Sequence, residues 1–509
     1  MQEDNNKRIA KNTLLLYVRM LCTMVVSLYT SRIILQTLGV EDFGIYNVVG
    51  GIVAMFSLFS GSLSSSISRF LTFELGKGNI SQLQKVFSTA INIQVAISLL
   101  ILILSEIIGV WFLNHKMVIP AERLTAANWV LQCSILTFIV NLISIPYNAL
   151  IIAHERMQFF AYISILEVVL KLSVVFLLMY IDSYDKLVIY GILLLLVALI
   201  VRLTYTVYSK HHFEESTYQQ IFDKSLWKEM MKFAGWNTIG VASAVFKDQG
   251  VNIVLNLFCG PAVNAARAIS VQVNTAIGAF IANFMTALNP QITKSYAIGD
   301  FSYMRTLVQQ GARFSFYLLL FLSIPVLIET ETILSLWLHT VPDYTIHFVR
   351  LILILALCES LSGTLITAML ATGRIRNYQI IVGGLQMMNF PLSYIALRMG
   401  GKPEVTMIIA IVISIVNLFV RIFFLKKMIG LSTEYYLTKV VGNICLVSAG
   451  SLICPMLAFY GLESSIWRFL LVCIISVPST LLIIYFIGCS TVERAWIHAQ
   501  INLVKQRFK

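Results

Sequence analysis

Along this chain apolar residues gather into long runs broken by short polar connections. About 20 consecutive apolar residues let a helix cross the hydrocarbon core of a bilayer. The runs predict about fourteen such helices, at 13–37, 43–68, 83–113, 124–152, 158–181, 186–208, 232–257, 262–290, 304–328, 345–371, 378–399, 404–426, 436–460 and 465–489. The first run is too long for the core of a signal peptide and no small-residue cleavage site follows it, so it reads as a retained anchor. The expected fold is an all-α polytopic membrane protein.

The connections carry the orientation. Odd-to-even connections, such as Gly39-Val-Glu-Asp42 and Asp182-Ser-Tyr-Asp185, are short and often acidic, while even-to-odd ones are basic. Of the 37 Lys and Arg residues, 24 fall on the side shared by both termini and 6 on the other, the rest lying within the runs. The positive-inside rule then places both termini in the cytoplasm.

The longest polar connection, 209–231, divides the first twelve runs six and six. A constant offset of 221 places Gly39 on Gly260, Gly78 on Gly299 and Ser81 on Ser302, so Gly76-Lys-Gly-Asn-Ile-Ser81 matches Ala297-Ile-Gly-Asp-Phe-Ser302. An even number of spans per half gives both halves the same orientation, as parallel repeats about an axis along the membrane normal. The expected organisation is an N-terminal lobe over 1–208, a cytoplasmic connector over 209–231, a C-terminal lobe over 232–428, and two further helices with a cytoplasmic tail over 429–509.

Composition agrees with the pattern: 58% of residues are hydrophobic and 12% charged, against about 25% charged in ordinary soluble domains. A cytosolic enzyme, a disordered scaffold and a secreted disulfide module are excluded. The net charge of +12 follows from the basic connections and needs no nucleic acid. Eight cysteines lie singly without a CxxC pair, which gives no metal or disulfide framework. No Walker loop, GxSxG elbow or HExxH helix is present, so neither a catalytic centre nor a cofactor is expected. His211-His212 beside Glu214-Glu215 reads as a solvated loop in preference to a metal site.

Polar residues inside spans are costly and face a bundle interior or a wet cavity. In the first span Arg19, Thr23, Ser27 and Ser31 recur every four residues, which puts them on one helical face. In the seventh, the repeat mate of the first, Asp248, Asn252 and Asn256 do the same, with Lys247 one position round. The second span holds the hydroxylated run Ser60–Ser68, with Ser64 at its centre, and its mate, the eighth, carries Arg267 and Asn274. A cavity between the halves would account for matched polar helices. The serine run equally suits close helix packing, and Arg69 suits a snorkelling anchor. Arg32 lies near the outer end, off the Arg19 stripe. Glu167 and Lys171, spaced i,i+4, favour a neutralising pair. Intramembrane bases (Arg19, Arg32, Lys171, Arg202, Lys247, Arg267, Arg350) outnumber the acids Glu106, Glu167, Asp248 and Glu359. That bias suits an anionic substrate such as a phosphate or diphosphate headgroup, which the planar arginine fork holds in pairs.

Four segments resemble one family: Thr37-Leu-Gly-Val-Glu-Asp-Phe-Gly-Ile-Tyr-Asn47, Ser68-Arg-Phe-Leu-Thr-Phe-Glu-Leu-Gly76, Pro146-Tyr-Asn-Ala-Leu-Ile-Ile-Ala-His-Glu-Arg-Met157, and Asp248-Gln-Gly-Val-Asn-Ile-Val-Leu-Asn256 followed by Gly260-Pro-Ala-Val-Asn-Ala-Ala-Arg267. With the six-plus-six-plus-two arrangement, the chain resembles the bacterial O-antigen and polysaccharide flippases (lipopolysaccharide biosynthesis proteins) of the multidrug/oligosaccharidyl-lipid/polysaccharide exporter superfamily. The resemblance implies a cavity lined by helices 1, 2, 7 and 8. It implies carriage of a polyprenyl-diphosphate-linked oligosaccharide across the bacterial inner membrane, from the cytoplasmic to the periplasmic leaflet, by alternating access. Membrane lipids, and the polymerase and glycosyltransferases of the same pathway, are the implied partners. Arg19 and Arg267 occupy helices comparable to those bearing diphosphate-binding arginines in related flippases. Lys247 and Arg32 are further candidates for the diphosphate; Asp248 and Glu359 are candidates for coupling to a cation; Thr23, Ser27, Ser64, Asn252, Asn256 and Asn274 are candidates for the cavity lining. The last two spans resemble those proposed in relatives to guide the lipid tail. A drug–cation antiporter of the same superfamily would favour acidic cavity groups, and a membrane glycosyltransferase or polymerase would need a larger outer loop.

Overall fold

The structure is a computed structural model that describes residues 2–54, 56–115, 119–181, 185–221, 223–338, 341–463, 465–495 and 498. Among the described residues there are helices and turns but no strand. In chain order the helices are α1 (Gln2–Ala54), α2 (Ser57–Lys77), α3 (Ile80–Leu104), α4 (Val110–His115), α5 (Leu124–Ala153), α6 (Met157–Tyr180), α7 (Lys186–His212), α8 (Lys224–Ala297) and α9 (Phe301–Ile328). They continue as α10 (Thr330–Trp337), α11 (Thr345–Ser360), α12 (Gly363–Thr372), α13 (Arg376–Met387), α14 (Asn389–Arg398), α15 (Val405–Ile429), α16 (Thr433–Tyr435), α17 (Gly442–Gly461) and α18 (Ile466–Ile483).

Twelve helical segments among the described residues are long and apolar enough to cross a membrane, and the chain is a multi-pass membrane protein. Of the two expected spans outside that set, 232–257 is helical, and 43–68 is helical to Ala54 and again from Ser57. The 232–257 span is the more polar of the two, by Lys247, Asp248 and its asparagines.

α1 and α8 are each broken once. Gly39 (φ 79°, ψ 169°) interrupts α1 and Gly260 (φ 81°, ψ 178°) interrupts α8. This backbone region is essentially closed to residues with a Cβ. Gly78 and Gly299, the next pair at the same offset, share a left-handed conformation at φ 73° and 78°. The correspondence seen in the sequence is therefore a correspondence of backbone geometry.

The packing forms two compact units: residues 1–242 with 286–300, and 243–285 with 301–509. In the first unit, Ile45, Val49 and Val53 of α1 bury against Ala127, Val130, Leu131 and Ile135 of α5, with Leu113 and Leu187. In the second, Val251, Val254, Val263 and Ala266 of α8 bury against Phe348, Val349, Ile352 and Leu353 of α11, with Met407 and Ala410 of α15. Under the 221 offset Ile45 falls on Ala266, Ala127 on Phe348 and Leu131 on Ile352, so both cores use the same pair of helix faces.

The serine run serves packing in the first unit. Ser62 Oγ donates to the Ala234 carbonyl at 2.7 Å and accepts from Thr238 Oγ1 at 2.9 Å, while Ser66 Oγ donates to the Met230 carbonyl at 3.3 Å. Hydroxyls that bond the facing backbone let two helices approach closely. Gly76 extends the seam, since a Cβ there would stand 2.9 Å from that of Ala297. Arg69 lies over the rings of Phe70, Phe73 and Phe233.

Within each unit, connections of the same class contact one another. Arg123, between the third and fourth spans, binds Asp42 and Asp185, which belong to two other odd-to-even connections. In the second unit Glu329 and Arg468, both at odd-to-even ends, pair at 2.9 Å. The even-to-odd ends pair among themselves: Lys294 with Glu155 at 2.6 Å, and Arg305 with the Ile429 carbonyl at 3.2 Å.

Candidate functional site

In the first unit Arg19 of the α1 stripe meets α6. Half-buried Arg19 donates from Nη1 to Ser164 Oγ at 3.4 Å, and its guanidinium lies 4.8 Å from the centre of the Phe160 ring. Thr23 uses its hydroxyl within the helix, donating to the Met20 carbonyl at 2.8 Å. Ser27 is exposed and Ser64 half-buried. The side chains of Arg32 and Asn256 lie outside the described residues, as does that of Ser31. Lys171 and Glu167 pair at 2.6 Å, the neutralisation their spacing predicts.

The second unit gathers five of the candidates. Lys247, Asp248 and Asn252 precede the Gly260 break, Arg267 follows it, and Glu359 lies in the last turn of α11. Arg267 Nη1 donates to Asn252 Oδ1, and Nη2 stands 3.9 Å from Asp248 Oδ1. In a continuous helix residues 15 positions apart would stand about 22 Å apart. The turn at Gly260 is what brings Arg267 back onto Asn252. Lys247 Nζ meets Glu359 Oε1 at 2.7 Å, and Asn252 donates to Gln249 Oε1 at 3.2 Å. Asn274 is half-buried, about two turns beyond Arg267 on the same arm.

The electrostatics of this cluster correct one expectation. Bases outnumber acids across the spans, yet here two cations meet two carboxylates. A buried charge left alone costs several kcal/mol, and Glu359 reaches Lys247 from a separate helix, which sequence spacing cannot show. Access divides by sign: the side chains of Lys247 and Arg267 are 12% and 6% exposed, those of Glu359 and Asp248 46% and 61%. The cations are the buried members of the cluster and the carboxylates its exposed ones. Arg267 Nε is buried without a hydrogen-bond partner, so the guanidinium keeps an unused donor.

Sequence reasoning missed several buried charges. Arg421 is buried and donates to Ser362 Oγ at 2.9 Å and Tyr378 Oη at 3.3 Å. Glu155, in the three-residue link between α5 and α6, has a side chain wholly out of solvent. It accepts from Arg8 Nε at 2.7 Å, Lys294 Nζ at 2.6 Å and Gln291 Nε2 at 2.6 Å. The available signal was an acid in an otherwise basic connection. Nor is the 209–231 connection simply solvated: Glu215 is buried and meets His154 Nε2 at 2.5 Å.

A profile of the family described as "polysaccharide biosynthesis protein" matches residues 9–296. No curated protein sequence matches the chain. Solved structures share its fold at low identity. An outward-facing multidrug resistance MATE family transporter of the MOP superfamily is 12% identical with a TM-score of 0.71, over 84% of this chain and 96% of that one. A MOP superfamily transporter from Pyrococcus furiosus, described by a binding pocket of reverse polarity that suggests a different function, gives the same values. A MATE structure in complex with MaD3S is 13% identical, also at 0.71, over 84% and 96%.

Proposed function

Because the chain belongs to the polysaccharide biosynthesis protein family, we propose that it is a flippase that moves a polyprenyl-diphosphate-linked oligosaccharide from the cytoplasmic to the periplasmic leaflet of the bacterial inner membrane. The family match carries this reading, and the buried guanidinium of Arg267, with its unused donor, supports it. Arginine offers two parallel donors to a phosphate, and Arg19 is the other intramembrane arginine that the reading assigns to it. The basic connections favour cytoplasmic termini, and the chain is no enzyme in this reading. Outward movement of the diphosphate follows an inside-negative potential, at about 2.3 kcal/mol per charge per 100 mV.

The accessible carboxylates of Asp248 and Glu359 favour coupling to an inward cation, with these acids as carriers. The same observation favours a second reading, a drug–cation antiporter. Export of surface glycan from a deletion strain tests the first. Wild-type protein should restore it, and Arg19→Ala with Arg267→Ala should lower it tenfold or more, about 1.4 kcal/mol of lost stabilisation. Full export from that double variant would refute the diphosphate assignment. Drug sensitivity in the deletion strain with normal glycan would establish the antiporter.

A further inference from the structure

The Pro146–Met157 segment ends beside a cavity separate from the Lys247–Arg267 cluster. Where α5 turns into α6, Arg8, Lys11, Asn12, Glu155, Arg156, Phe159, Tyr162 and Tyr208 line a cavity of about 320 Å³ within the first unit. From these observations we propose that this cavity binds the phosphate group of an amphiphile, a lipid headgroup held at the membrane surface.

Three cations and one carboxylate line it, and the carboxylate is already committed. Arg8, Lys294 and Gln291 all contact Glu155 within 2.7 Å, so its repulsion of an anion is cancelled at the floor. Lys11 and Arg156 are exposed and have no ion-pair partner among the described residues. They are the groups left to meet a phosphate.

The backbone is committed as well. Glu155 holds φ at 59°, a left-handed conformation that costs a residue with a Cβ energy and that gathers at ligand-binding sites. Here it turns the carboxylate under the cavity and leaves Arg156 at the rim. Phe159 and Tyr208 stack on one another, and exposed Tyr162 adds a third ring. Rings with one polar edge suit the level of lipid headgroups.

Placement agrees with an interfacial ligand. The cavity lies where the first span begins, the fifth begins and the sixth ends, on the basic side of the alternation. Basic groups at that level attract anionic headgroups, each contributing in proportion to its charge.

Two amphiphiles carry this chemistry: an anionic glycerophospholipid and a prenyl diphosphate. Native mass spectrometry of the full-length protein in detergent would measure retention of phosphatidylglycerol and of farnesyl diphosphate, with phosphatidylcholine and inorganic phosphate as controls. Wild-type protein should retain one of the two anionic amphiphiles, and which one names the source. Lys11→Ala with Arg156→Ala should weaken that binding about thirtyfold, the usual effect of two basic groups at a membrane surface. Tyr162→Phe, which keeps the ring and removes a donor, should weaken it by a smaller factor with the fold intact. Equal retention by wild type and the Lys11/Arg156 variant would overturn the proposal. So would phosphatidylcholine bound as well as phosphatidylglycerol and farnesyl diphosphate, or binding of inorganic phosphate alone.

Discussion

Lys247 and Glu359 show what a single residue contributes in this protein. Lys247 is nearly sequestered and Glu359 nearly half-exposed, so removing either partner has unequal effects. Glu359→Gln leaves an ammonium without its counter-charge, whereas Lys247→Met leaves a carboxylate that water can reach. We expect Glu359→Gln to lower the unfolding temperature in detergent more than Lys247→Met. The double variant should recover part of the loss, with a coupling of about 1–3 kcal/mol. Strict additivity would show that the pair is energetically idle. The sequence marked both residues as intramembrane charges but could not join them. Their partnership spans 112 positions and exists only because α8 and α11 pack. Asp248 and Arg267 were separable in the same way until the Gly260 turn closed the distance.

At the scale of elements, glycine punctuation decides where helices stop. A Cβ at Gly39 or at Gly260 would meet nothing within 4 Å, so the obstacle to substitution is the backbone conformation itself. Gly39→Ala and Gly260→Ala should each destabilise by about 1–3 kcal/mol, and by similar amounts, because they hold equivalent turns. Thermal unfolding of the two variants checks this. A large effect at one and none at the other would break the equivalence of the halves. These elements were readable beforehand, since apolar runs and glycine breaks are local signals. The serine run was not: its composition fits a wet cavity or a dry seam, and only the carbonyls of Ala234 and Met230 facing Ser62 and Ser66 assign those two to packing. Glu215 is a similar case, polar by sequence and buried by its contact with His154.

Across the whole molecule, charge keeps the connections in register. Arg123 Nε and Nη2 donate to Asp42 at 2.8 and 2.5 Å, and Nη1 donates to Asp185 at 2.5 Å. One guanidinium therefore ties three connections of the first unit. Burial works against the Asp185 carboxylate, but hydrogen bonds from Arg123 and the Val188 and Leu187 amides hold its pKa below the ordinary carboxylate value. A group so depressed stabilises the fold at pH above its unfolded pKa, and the contribution is lost as pH falls through the lowered value. Arg123→Ala should cost roughly 1–2 kcal/mol at neutral pH, and the difference from wild type should shrink in acid. Unfolding temperatures across that range provide the check, and a difference independent of pH would count against the clasp. By itself the sequence determined the membrane as solvent, the alternation of sides and the repeat, because hydropathy, charge placement and glycine breaks are properties of local chain. Only the tertiary structure decided which charges neutralise one another and which hydroxyls are spent in packing. Those outcomes depend on contacts between residues far apart in the chain, and burying a charge demands that such a contact be found.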